Sequence, residues 1–192
     1  SLAAAERPDL ILEFGERAVV RDEIVFVPAR YRNADDGEAG LAAVLVIDTN
    51  TDTLLHVATD TRCGDTVHAI EGAGDALYFG TGTVGALFHA RRFPAGYPEP
   101  CVLRIEKGQT TFDPDYHVSL AGRVGGRDAG RLIAGPNGHV FVLALHPELL
   151  ETPIDESTPL WDPWEASVWR FWRISLDENA GVGKIGRASC RE

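Results

Sequence analysis

The chain has 192 residues, 44% apolar and 24% charged, with a formal charge of −11 at pH 7. No apolar run approaches the roughly 18 residues of a membrane-spanning helix. A surface this acidic repels phosphate backbones, which excludes nucleic acid as a partner, and it serves solubility even without any partner.

Both ends qualify the reading. Ser1-Leu2-Ala3-Ala4-Ala5 opens without an initiator Met, and no Met occurs anywhere in the chain. The expectation is an internal piece of a longer gene, so a missing signal peptide carries no information. Residues 184–192 are set aside as a non-native tail. Ile185 to Glu192 can be encoded as ATC GGA AGA GCG TCG TGT AGG GAA, which looks like a sequencing adapter read in frame. Without Arg187, Arg191 and Glu192 the remainder is slightly more acidic.

Leu10 to Phe14 is expected to be an outer strand ending a preceding, truncated unit, residues 1–17. A first unit, 18–66, then runs through VVRDEIVF at Val19 to Phe26, its second strand spanning Ile24 to Tyr31. The hydrophilic loop Arg32 to Glu38 forms an acidic rim, Val44 to Asp48 a third strand, and Leu54 to Thr59 a fourth. Asp48, Asn50 and Asp52 between them favour a hairpin turn. A second unit, 67–130, repeats the opening as AIEGAGDALYF at Ala69 to Phe79, followed by strands at Val102 to Glu106 and Tyr116 to Leu120. A third, 131–183, repeats it as LIAGPNGHVF at Leu132 to Phe141, followed by Phe171 to Ser175. Its loop from Pro147 to Ala166, carrying Pro153, Pro159 and Pro163 with Trp161 and Trp164, is longer than a simple connection needs, and such insertions are usually functional or mobile. Four short strands per unit, repeated with no helices between, predict an all-β fold. The specific expectation is a β-propeller fragment of about three four-stranded blades from a ring of six to eight.

Several motifs dissolve in context. Gly80-Thr81-Gly82-Thr83-Val84-Gly85 matches a dinucleotide fingerprint, but Ala86 to Phe93 leaves only eight residues before Pro94 and no βαβ pattern surrounds it. Asp48, Asn50 and Asp52 resemble the start of a calcium loop that lacks its Gly and its final Glu. No nucleophile elbow organises Ser, His and Asp into a triad. Six histidines show no tight ligand spacing: His56, His117 and His139 fall in predicted strands, and His68, His89 and His146 lie near one face. No catalytic residue, metal ligand or cofactor is assigned.

The same face gathers His89, Arg91, Arg92, Phe93 and Tyr97 from the second unit, then Arg123, Arg127, Asp128 and Arg131 from the link to the third. Trp161 and Trp164 come from the third unit itself. His89, Arg91, Arg92, Tyr97, Arg127, Trp161 and Trp164 are the ligand-binding candidates. Guanidinium groups clamp carboxylates or phenolates, and Trp adds flat apolar area, so the ligand is a small anionic or aromatic molecule or a protein partner. The alternative is a solvated rim with Trp packed between units. With Cys190 in the tail, Cys63 and Cys101 remain, and alternating strands open their two loops on one face. A disulfide suited to an oxidising compartment stands beside two unpaired thiols as the alternatives.

Ala43 to Val57, AVLVIDTNTDTLLHV, resembles the YVTN class of bacterial surface propeller repeats. Asp60 to Gly64, Pro100 to Ile105, Phe112 to Tyr116 and Ala134 to Gly138 resemble a myxobacterial exported family, some of whose members are encoded beside genes for siderophore (myxochelin-type) iron uptake. The similarity spans roughly Arg21 to Asp177 and rests on turns and strands, so no catalytic residues carry over. It implies export to the periplasm or cell surface, a lipid anchor in the missing N-terminus, and a link to iron acquisition. Two functional expectations follow: an extracytoplasmic binding or scaffold propeller accessory to siderophore-iron uptake, or a lactonase- or quinoprotein-like enzyme completed by missing blades.

Overall fold

The computed structural model describes residues 10–33, 38–92 and 94–185, built mainly from three antiparallel sheets in chain order. The first holds β1 (Leu10–Phe14), β2 (Val19–Arg21), β3 (Ile24–Asn33), β4 (Glu38–Asp48) and β5 (Thr53–Asp60). The second is β6 (His68–Glu71), β7 (Leu77–Gly80), β8 (Cys101–Ile105) and β9 (Val118–Ser119). The third is β10 (Ala129–Ala134), β11 (Val140–Leu145), β12 (Trp169–Ile174) and β13 (Lys184–Ile185).

Alternation along each strand sets the stacking, because successive side chains face opposite sides of a sheet. Val44 and Val46 of β4 share a core with Ala69, Leu77, Phe79, Leu103 and Ile105 of the second sheet. That sheet's other face sends Ile70, Val102 and Val118 into a core with Leu132, Val140, Val142 and Trp172 of the third. The turns opening the second and third units use the residues that tolerate left-handed backbone: Gly74 (φ 71°) and Asp75 (62°), then Asn137 (57°) and Gly138 (71°). The hairpin between β4 and β5 closes as an Asx turn, Asp48 Oδ1 accepting from the N–H groups of Asn50 and Thr51.

Four expectations are corrected. Leu10–Phe14 does not lie apart in a preceding unit. β2 covers only Ile24 to Phe26 of the ten-residue β3, and β1 pairs with the stretch beyond, Ala29 to Asn33. The chain turns between the two strands at Gly15, where a side chain would strike the Val67 carbonyl oxygen at 2.2 Å. Helices do interrupt the units: α1 (Thr83–Arg91), α2 (Leu120–Arg123) and α3 (Trp161–Glu165). The fourth strand of the second unit shrinks to Val118–Ser119, since Ser119 Oγ caps α2 and Tyr116 turns its hydroxyl to the Leu176 carbonyl at 2.6 Å. The third unit does have a fourth strand, and β13 pairs Lys184 and Ile185, the first two residues of the stretch set aside as non-native, with Arg173 and Trp172. In the first unit's loop, residues 34–37 lie outside the described residues, and so does the tail after Ile185.

Cys63 and Cys101 form a disulfide with Cα atoms 5.5 Å apart. It ties the link entering the second sheet to the first residue of β8.

Candidate functional site

The start of β6, the end of β7, the start of β10 and the end of β11 share one end of the sheets. Helix α1 lies there. Leu87 packs on Leu145 and Val168, with Leu150, Ile154 and Leu160 of the long loop around them, so the Pro-rich insertion is a wall built against α1.

The candidates gather at this end, but most are already engaged. His89 Nδ1 meets Asp128 Oδ1 at 2.5 Å, and that bond raises the imidazole pKa against an opposing burial effect. Arg91 donates to the Glu156 carbonyl at 3.0 Å. Arg92 is exposed in the left-handed cap of α1 (φ 56°). Tyr97 is 7% exposed, its ring 5.7 Å from Phe88 and against Gly64, so it is a packing residue. Trp161 and Trp164 form an edge-to-face pair, 59% and 39% exposed. Phe93 lies outside the described residues.

Arg127 anchors a second cluster. Its guanidinium donates to Glu148 Oε1 at 2.9 Å and sits 5.8 Å over the Trp172 ring. His146 Nδ1 contacts the same Glu148 oxygen at 2.8 Å, and Trp172 Nε1 donates to His146 Nε2 at 3.2 Å. An indole N–H can only donate, which assigns the proton of a neutral imidazole to Nδ1. Glu148 is held down at about 2 by its own backbone N–H, by Arg127 and by His146. Arg127 Nε is buried with no acceptor among the described residues. The Arg127 residue also borders a cavity of about 420 Å³ whose other walls include the apolar Ala90, Leu145, Leu150 and Ile154 and the acidic Asp128 and Glu151.

The glycine motif has an internal occupant. Asp65 is fully buried, and its Oδ1 accepts from the Gly82 N–H at 2.9 Å where α1 begins. A side chain at Gly82 would lie 3.2 Å from Asp65 Oδ2, and one at Gly85 would lie 2.7 Å from Oδ1. Gly80 is needed for a different contact, since its Cβ would meet Leu132 at 2.9 Å. The motif thus cradles a carboxylate of this chain. β7 and β8 flank α1 as an antiparallel pair, so no βαβ unit exists to present a nucleotide. Burial raises Asp65 to about 6.

Comparison with family models, curated proteins and solved structures gives no match.

Among the described residues, no group of three or more His, Cys, Asp or Glu is placed to hold a metal ion, and His68, His89 and His146 do not converge on one. His56 lies in β5 and contacts the Thr110 carbonyl at 2.9 Å, whereas His117 precedes β9 and His139 follows a turn. Sequence reasoning missed Asp65, Glu148 and α1 itself. The only trace of Asp65 was the three glycines, which signal close approach without saying what approaches.

Proposed function

We propose that this chain is part of an extracytoplasmic β-propeller binding protein, its three sheets being consecutive blades, with ligand contacts at the α1 end. The observation that carries the binding reading is the cavity beside Arg127. It joins the Arg127 guanidinium to aliphatic walls, which suits a small anion with an apolar or aromatic body. Face-to-face sheets with short connections support the blade reading, and so does apolar character on the outward faces of the first and third sheets. The disulfide supports an oxidising compartment. The resemblance to exported proteins linked to siderophore uptake narrows the ligand to a ferric catecholate chelate, presented to or received from an uptake system.

The test is a titration of the purified chain with a ferric catecholate siderophore and with an iron-free aryl carboxylate, read by Trp fluorescence and calorimetry. Saturable binding weakened in Arg127→Ala supports the reading, and binding of the carboxylate alone removes the iron version. Saturation by neither probe refutes the site. The His89–Asp128 bond favours a second reading, a propeller hydrolase with His89 as general acid or base. Lactone turnover lost in His89→Gln would establish it, and an inert protein with every added metal and quinone would end it.

A further inference from the structure

The long loop ends in α3, whose sequence Trp-Asp-Pro-Trp-Glu sorts its side chains onto different sides of a single helical turn. Pro163 takes the inward side and is buried, its carbonyl accepting from Trp169 Nε1 at 2.9 Å. Residues three apart share one side of a helix, so Trp161 and Trp164 lie together and Asp162 and Glu165 lie beside them. The two indoles meet edge to face with centroids 6.2 Å apart, and both remain exposed. Leu160, just before the helix, packs into the cluster around Leu87, so the turn is anchored at both ends.

Single exposed apolar residues are ordinary, but two adjacent tryptophans held in place form a contact surface. The charge around them selects the partner. From Pro147 to Ala166 the loop carries six acidic residues and no Lys or Arg. The carboxylates of Asp162 and Glu165 have no partner among the described residues, whereas those of Glu148 and Asp155 are engaged. Trp164 also walls a cleft of about 150 Å³ with Glu16 and Val84; Arg30 lines it too, but its guanidinium is held by Glu13 at 2.7 Å. Neither indole lines the cavity beside Arg127.

We propose that the Trp161–Trp164 face docks an extended, arginine-bearing segment of a partner protein. A guanidinium stacks on an indole through its flat face while its N–H groups reach a carboxylate, and α3 sets both kinds of group side by side. An ammonium offers the charge without the plane, so lysine fits less well. An acidic segment is repelled by Asp162, Glu165 and the net charge of the chain. The inference does not depend on the propeller reading or on the cavity beside Arg127.

The probes are short glycine-spaced peptides bearing arginine, lysine or glutamate, titrated into the whole chain and read by Trp fluorescence and calorimetry. The arginine peptide is expected to bind saturably, the lysine peptide several-fold more weakly, and the glutamate peptide not at all. Trp161→Ala with Trp164→Ala should weaken arginine-peptide binding about tenfold or more. Asp162→Asn with Glu165→Gln, both at exposed positions, should weaken it several-fold and reduce its sensitivity to salt. No saturation by the arginine peptide at millimolar concentration, equal binding of the glutamate peptide, or unchanged affinity in both double variants would overturn the proposal. Self-association of the chain that is lost in Trp161→Ala would also overturn it, assigning the face to a second copy.

Discussion

Asp65 is the residue on which the α1 end turns. Its carboxylate is fully buried, caps a helix start through one oxygen, leaves the other without a partner among the described residues, and is raised from 3.8 to about 6 by burial. A raised acid binds its proton more tightly in the folded state. Its contribution to stability is therefore fully present below about pH 3.8 and is lost as pH rises through about 6. Two units correspond to something on the order of 3 kcal/mol. The stability difference between wild type and Asp65→Asn should accordingly shift toward the variant by that order between pH 4 and pH 8, measured by urea denaturation; a flat difference would sink the assignment. Glu148 works in the opposite window, stabilising above about pH 4.5 and losing its contribution as pH falls toward about 2. Gly85 gives a companion test at neutral pH. Its Cβ would sit 2.7 Å from an Asp65 oxygen inside packed surroundings, so Gly85→Ala should destabilise by about 1–3 kcal/mol. The same change in an Asp65→Ala background should cost clearly less, and an unchanged cost in the double mutant would show that the two residues do not communicate.

At the scale of elements, α1 and the disulfide do the joining. Helix α1 is only nine residues long, too short to persist in water without tertiary contacts. Leu87 is fully buried where the helix meets β11 and the long loop. Leu87→Ala is predicted to cost about 2–5 kcal/mol and to loosen the Pro147–Ala166 loop, seen as faster proteolysis there. Cleavage at the wild-type rate would show that the loop holds itself. Cys63 and Cys101 close a loop with a sequence separation of 38, for which the chain-entropy relation gives about 4 kcal/mol. Reduction, or Cys101→Ser, should lower stability by roughly that amount.

This scale also shows why the sequence was partly opaque. The hairpins and their turn residues were legible because alternation and Asp, Asn, Gly and Pro chemistry are local. Helix α1 was not, since its glycine-rich start and early proline resemble a loop and its stability comes from burial. Leu10–Phe14 was misassigned for a related reason. Its apolar pattern is that of any strand, and only the length of β3 decides where it pairs.

The whole molecule is a stack that stays apolar on its outer sides. On the free face of the first sheet Phe14 and Val20 are 65% and 60% exposed beside half-buried Val25, Val27 and Leu45. On that of the third, Ile133, Phe141, Leu143 and Phe171 are half-buried. Contiguous apolar faces of this kind are covered in working proteins. The chain by itself should bind a hydrophobic dye and associate with rising concentration, and Leu143→Lys with Val27→Lys should suppress both while leaving the internal cores intact. A monodisperse, dye-silent wild type would show these faces to be self-sufficient.

Sequence alone determined the antiparallel β character, the three repeated hairpins, the turn positions and the absence of a long apolar helix, because each depends on neighbours a few residues apart. It also placed Cys63 and Cys101 on loops able to meet. Tertiary structure decided that α1 fills the shared end of the sheets and that the glycine motif encloses Asp65. It decided too that Arg127 borders a cavity while Tyr97 is packing. Those outcomes turn on burial, charge and close approach between residues distant in the chain, and no local pattern encodes which distant residue arrives.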